Sequence, residues 1–165
     1  MKHYFDPNVE DYSTIDIYSP VDGTVVSMVE SNGIRINIKS TDYPEYQFII
    51  FHIDPLPDLE LGDMISAGEK IGNHINSTTI SDIAVQRYVY HDGLFKNHLI
   101  SYFEVMTEEH FNANYISSEI ISRSDLIITV TERDASPLNC EDEEFIGEDF
   151  GDGGYGSISN WAQLD

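Results

Sequence analysis

The sequence predicts an all-β domain, a mainly antiparallel β-sandwich carrying one or two short helices at its C-terminal side. Three observations predict it. Short β-branched and aromatic runs alternate with Gly, Pro, Asn and Asp clusters. Glycines recur around short apolar pairs in the phrase Leu59 to Gly72, as tight reversals between very short strands require. The chain of 165 residues is 41% hydrophobic and 12% aromatic, enough apolar material for one packed core and too much for a disordered acidic chain.

Taken in order, Ile15-Asp16-Ile17-Tyr18 reads as a strand that Pro20 ends, and Asp22-Gly23 turns the chain into Thr24–Val29. After a turn at Ser31-Asn32-Gly33, Ile34-Arg35-Ile36-Asn37-Ile38-Lys39 alternates strictly, the pattern of a strand with one wet face. Phe48-Ile49-Ile50-Phe51-His52-Ile53 is a continuous apolar run, expected to be covered on both sides. Asp82–Tyr90 and His98–Met106 flank His91-Asp92-Gly93 and are expected to form a hairpin with a longer loop. Thr107 is the expected N-cap of a helix in which Glu108 and Glu109 complement the dipole and Phe111 and Tyr115 share a face. Ser122–Ile128 fits either a short helix or a strand. A domain over 1–135 and an acidic, Gly-rich tail over 136–165 are the expected organisation.

Thirty acids against eight Lys and Arg give a formal charge of −22. The tail contributes eight acids and no Lys or Arg, so the body is itself at −14. Such a charge repels phosphate backbones and anionic bilayers, which excludes nucleic acid as an easy partner. No apolar run approaches a membrane span, so no membrane insertion is expected, and the first residues lack a secretory core segment. The single cysteine, Cys140, sits among acids and is expected to be chemically idle.

Two phrases occur in order: Tyr18-Ser19-Pro20-Val21-Asp22-Gly23-Thr24-Val25, and Leu59-Glu60-Leu61-Gly62-Asp63-Met64-Ile65-Ser66-Ala67-Gly68-Glu69-Lys70-Ile71-Gly72. Each resembles the biotinyl/lipoyl-like hammerhead family. Their order, with Phe51-His52-Ile53 between them, resembles the lysostaphin/LytM-type zinc endopeptidases over about Asp16 to Met106. The resemblance implies a β-sandwich of the duplicated hybrid motif type with a groove, in enzymes that cut peptide cross-links of bacterial cell walls. It also implies an extracellular or cell-envelope setting, while the chain's own residues leave a cytoplasmic one open.

By that resemblance His52 takes the place of the mid-chain catalytic histidine. The family's His-x-His pair falls on Asp82 and Ala84, or in the other register on Ser81 and Ile83, and neither register restores a nitrogen ligand. The upstream His-x-x-x-Asp motif is approximated by His3 and Asp6, one residue too close, while fixed spacing lands on Tyr4 and Asn8. A catalytic zinc needs about three protein ligands and an open position. The resemblance therefore implies a degenerate member, with zinc as cofactor only if it is active. Expected site residues are His52 and Asp82 as remnants of the catalytic positions, with His3 and Asp6 as ligands if a metal binds.

Other readings carry less. His74 and His98 have no spacing that ties them to His52. Asn76-Ser77-Thr78 fits a glycosylation pattern that is common by chance, and no calcium-loop sequence is present. Neither Lys39 nor Lys70 stands in a carrier-domain hairpin, and the facing histidines of phosphocarriers are not evident. The expected function is a non-catalytic binding module that takes an extended peptide, glycan or protein segment in a remnant groove near His52, Asp82 and Tyr102. The alternative is a zinc-dependent peptidoglycan or peptide endopeptidase with an altered metal site.

Overall fold

The computed structural model describes residues 2–5, 7, 9–76, 79–116, 120–127 and 129–135. The chain forms two compact units, Met1–Tyr102 and Phe103–Asp165. The first holds nine strands: β1 (Lys2–Phe5), β2 (Asp16–Tyr18), β3 (Gly23–Glu30), β4 (Ile34–Ser40), β5 (Tyr46–Pro55), β6 (Met64–Ile65), β7 (Lys70–His74), β8 (Ser81–His91) and β9 (Leu94–Ile100). All pairings among the described residues are antiparallel, and the main path runs β1-β8-β5-β4-β3-β6. The expected all-β class is what the molecule adopts, with β2 joined to β7 and β9 to β8 off that path.

Register sorts the side chains of the main sheet into two faces, because directly opposed residues point the same way. One set of rows is apolar: Ile38–Phe48–Val85–Ile100 and Ile36–Ile50–Ile83–His3. Ile36, Ile38 and Val85 are fully buried there, each contributing about 1.5–3 kcal/mol relative to exposure. The opposite rows are mixed: Asn37–Ile49–Ala84–Lys2 and Lys39–Gln47–Gln86–Leu99. The wet face expected of β4 is therefore the face of Arg35, Asn37 and Lys39, of which Lys39 is exposed.

The two sequence phrases lie side by side. Val25 N–H donates to the Asp63 carbonyl at 2.9 Å and Gly62 N–H to the Val25 carbonyl at 2.8 Å. The Asp22 carboxylate accepts from Ala67 N–H at 2.7 Å. Gly68, at φ 76°, makes the reversal between β6 and β7. Gly72 serves differently: a Cβ there would collide with the carbonyl of Asp54, so its bare backbone lets β7 close on β5.

The hairpin differs from expectation. Asp92 and Gly93, at φ 52° and 79°, form a two-residue turn, and β9 begins at once with Leu94 rather than after a longer loop. A turn with both central residues at positive φ matches the right-handed twist of the strands, so pairing starts immediately. The second strand also stops earlier: Tyr102–Val105 is a helical turn, α1, rather than strand. In the second unit Thr107 caps α2 (Glu108–Asn114), its hydroxyl accepting from His110 N–H at 3.2 Å, and Phe111 stacks on Tyr115 at 6.0 Å, as expected. The ambiguous stretch is a 3-10 turn, Arg123–Leu126, followed by α3 (Val130–Ala135). Asp125 accepts from Ser122 and Ile121 N–H, which holds its carboxyl below the ordinary range. The acidic tail and Cys140 lie outside the described residues.

Candidate functional site

His52 is placed by an irregularity. Ile36 opposes Ile50 and Ile34 opposes Ile53, so Phe51 and His52 together face the single residue Arg35. That is a β-bulge, and His52 adopts φ 59° within it. A bulge re-aims a side chain, and a non-glycine residue at positive φ holds backbone strain that its surroundings must fix. Here they do: the Nδ1–H of His52 donates to the Asn32 carbonyl at 2.9 Å, and the His52 carbonyl accepts from Ile75 N–H at 2.9 Å. The bulge is also a branch point. Before it, Tyr46–Ile50 of β5 pairs with β8; beyond it, Ile53–Pro55 pairs with β7.

The re-aimed ring meets Asp82. With Nδ1 committed to Asn32, Nε2 lies 3.4 Å from Asp82 Oδ2. The same carboxylate oxygen is 2.7 Å from the ammonium of Lys2, which stands over the Phe51 ring at 3.9 Å. Register explains the meeting, since Lys2 and Tyr4 of β1 oppose Ala84 and Asp82 of β8. The Asp82 side chain is 1% exposed, Lys2 34% and His52 12%. A buried carboxylate is costly unless paired, and Lys2 supplies the pairing charge. Asp82 Oδ1 has no hydrogen-bond partner.

His74 stands beside this group. It is fully buried, its ring 6.2 Å from that of His52 and edge-on to Tyr12 at 5.4 Å. Its Nδ1–H donates to the Ile75 carbonyl at 2.6 Å, which leaves Nε2 as an acceptor without a partner.

The structure thus brings His52 and Asp82 together and separates His3 from them. His3 ends the apolar row Ile36–Ile50–Ile83, on the opposite face of β8, where it contacts Ser101 Oγ at 2.8 Å. Burial lowers its pKa to about 4, as expected for an imidazolium deprived of water. Asp6 lies outside the described residues, as does Asn8. His98, opposite Arg87 on the exposed hairpin, is not part of the group. Lys2 and Phe51 are the members that sequence reasoning missed. The alternation of Lys2-His3-Tyr4-Phe5 was the available signal, since it puts Lys2 and Tyr4 on one face of any strand.

A zinc ion of the kind the resemblance implies does not fit these residues. Among the described residues no three His, Cys, Asp or Glu side chains stand close enough to hold a metal. Asp82 already faces an ammonium, position 84 offers only a methyl group, and His3 points to the other face. What remains is a carboxylate with its charge balanced, an imidazole held in one orientation, and two unpartnered buried acceptors.

Among solved structures, the chain is similar to lysostaphin in solution, over 58% of this chain and 39% of that one, at 16% identity and a TM-score of 0.42. It is also similar to the catalytic domain of the antimicrobial peptidase lysostaphin from Staphylococcus simulans, over 50% of this chain and 66% of that one, at 18% identity and a TM-score of 0.39. A LytM from Ruminococcus gnavus, described as a glycyl-glycine endopeptidase, is similar over 50% and 36%, at 22% identity and a TM-score of 0.37. The likeness is one of fold, and the chain spans less than two thirds of the length of each. No family model and no curated protein matches the sequence.

Proposed function

We propose that this chain is a binding module without zinc peptidase activity, which takes an extended peptide segment at the sheet face around Lys2, His52 and Asp82. One observation carries the reading: the Asp82 carboxylate, at a position where the resemblance puts one of the family's paired histidines, is already paired with the Lys2 ammonium at 2.7 Å. An ammonium on a tether cannot polarise a scissile carbonyl as a Lewis acid does, nor lower the pKa of a bound water to about 7. The strand and glycine frame supports the peptide partner and a cell-envelope setting through its resemblance to peptidases that handle cell-wall peptides. A charge of −22 argues against nucleic acid, and no helix among the described residues is long and apolar enough to cross a membrane.

Zinc titration by calorimetry, metal analysis of the purified protein, and incubation with a peptide library test this together. Saturable peptide capture without cleavage, and no zinc uptake, is the expected result. Stoichiometric zinc at micromolar or tighter affinity, or metal-dependent cleavage that His52→Ala abolishes, overturns it. Capture of glycans in place of peptides also overturns the choice of ligand.

A further inference from the structure

Strand β9 is a sheet edge of seven residues, Leu94–Ile100, whose one strand partner among the described residues is β8. The two-residue turn fixes which of its backbone groups are used. His91 and Leu94 close the turn and exchange both of their hydrogen bonds, and the alternation of an antiparallel ladder gives the same role to Lys96, His98 and Ile100. The N–H and C=O groups of Phe95, Asn97 and Leu99 therefore point away from β8, out of the sheet. Strand β8 has the matching phase: Tyr88, opposite Asn97, turns its N–H the other way, to the Glu45 carbonyl at 2.8 Å.

Sheet edges are ordinarily blunted by shortness, bulges, proline or charge. Strands β1, β2 and β6 have four, three and two residues, and β3 carries a bulge against β4 and ends in Glu30. Strand β9 runs its whole length in register with β8, without bulge or proline, and Leu94, Phe95 and Leu99 are 65%, 76% and 57% exposed. Its apolar pattern is the same from both ends: Leu94-Phe95, then Lys96-Asn97-His98, then Leu99-Ile100. An antiparallel copy of the strand centred on Asn97 thus sets Leu94 against Ile100 and Phe95 against Leu99. In that same register Phe95, Asn97 and Leu99 each give and receive a backbone hydrogen bond, because the three outward residues are themselves symmetric about Asn97.

Charge favours the same place. From Ile83 to Ile100 the chain carries Arg87 and Lys96 against Asp92, a formal +1, which leaves −23 on the rest. Two copies of so acidic a chain repel least through this hairpin, and each hairpin enters the negative field of the other body.

We propose that β9 pairs with β9 of a second copy of this chain, antiparallel about a two-fold axis at Asn97. The apolar row Ile38–Phe48–Val85–Ile100 then continues into Leu94 of the second copy. Leu99 of the second copy lies against Phe95, whose ring is 5.0 Å from that of Tyr90. A two-fold pairing is closed, so it uses up both edges and stops at two. The proposal concerns assembly and does not depend on what Lys2, His52 and Asp82 bind.

Sedimentation velocity of the full chain over a concentration series tests it. A monomer–dimer equilibrium with a dissociation constant of about 1–100 μM is expected, tightening as salt screens the two bodies. Asn97→Pro removes an N–H that only the second copy uses, at a position where edge strands accept proline. With an unchanged melting temperature in dilute solution, it should weaken the dimer about tenfold or more, and Phe95→Lys should do the same by placing a charge at the seam. In a Cys140→Ser background Asn97→Cys should form an intermolecular disulfide on mild oxidation, whereas Lys96→Cys should not, because position 97 alone faces itself. A chain that stays monomeric throughout overturns the proposal. A dimer that survives both Asn97→Pro and Phe95→Lys, or that cross-links equally at 96 and 97, overturns the register, and one that loosens with added salt overturns the apolar seam.

Discussion

Lys2 Nζ lies 2.7 Å from Asp82 Oδ2, so a side chain from the first strand neutralises the buried carboxylate on β8. The pair also sets the position of His52, whose Nε2 faces the same oxygen at 3.4 Å. Removing the cation leaves the Asp82 carboxylate, 1% exposed, without its counter-ion. Lys2→Met should therefore destabilise the first unit by about 2 kcal/mol, less than a wholly buried pair because Lys2 is itself partly solvated. The double variant Lys2→Met/Asp82→Leu should recover most of that loss, since no unpaired charge remains. Urea unfolding of the three proteins checks this; a double variant as unstable as the single one refutes the counter-ion role.

The bulge at His52 makes an unusual expectation. Glycine adopts φ near +60° without strain, whereas alanine there costs about 1 kcal/mol or more. His52→Gly should thus be more stable than His52→Ala by about 1 kcal/mol, the reverse of the order in an ordinary strand. Both lose the bond to Asn32, so the difference isolates the backbone. Thermal unfolding of the two variants decides it, and equal melting temperatures would show that the positive φ is not retained.

His3 gives a pH dependence of known sign. Its pKa falls from 6.5 to about 4 on folding, with burial as the leading cause. Between those values the unfolded chain binds a proton that the folded chain refuses, so stability is full above about pH 6.5 and lost as pH falls toward about 4. The contribution is at most about 3 kcal/mol and is reduced by the part of the ring that water reaches. His3→Gln should flatten the wild-type slope in this window, measured as unfolding free energy against pH. An unchanged slope assigns the acid sensitivity to other groups.

Much of the scaffold was legible. The run Phe48–Ile53 reads as a strand because it is short, rich in β-branched and aromatic residues and bounded by turn residues, and Thr107 reads as a cap because its hydroxyl has an orphan N–H to satisfy. The site was legible in halves. His52 and Asp82 stand out through the family resemblance, but their contact depends on a bulge, and a bulge built on histidine rather than glycine leaves no compositional mark. Lys2 reads as a terminal charge until register places it opposite Ala84. The same register sends His3 to the other face, a one-residue distinction that composition does not carry. The hairpin was misjudged for a different reason: Asp92-Gly93 already held the two-residue turn, and the exposed apolar residues after it read as loop.

Because β5 exchanges β8 for β7 at the residue that holds the imidazole, the architecture and the site share one pivot. A substitution at position 52 cannot tune ligand contact alone; it also resets how two groups of strands are joined. Binding and folding cooperativity should accordingly drift together across variants at this position, whereas changes at the Tyr90 and Phe95 end of the β8–β9 hairpin leave the junction untouched.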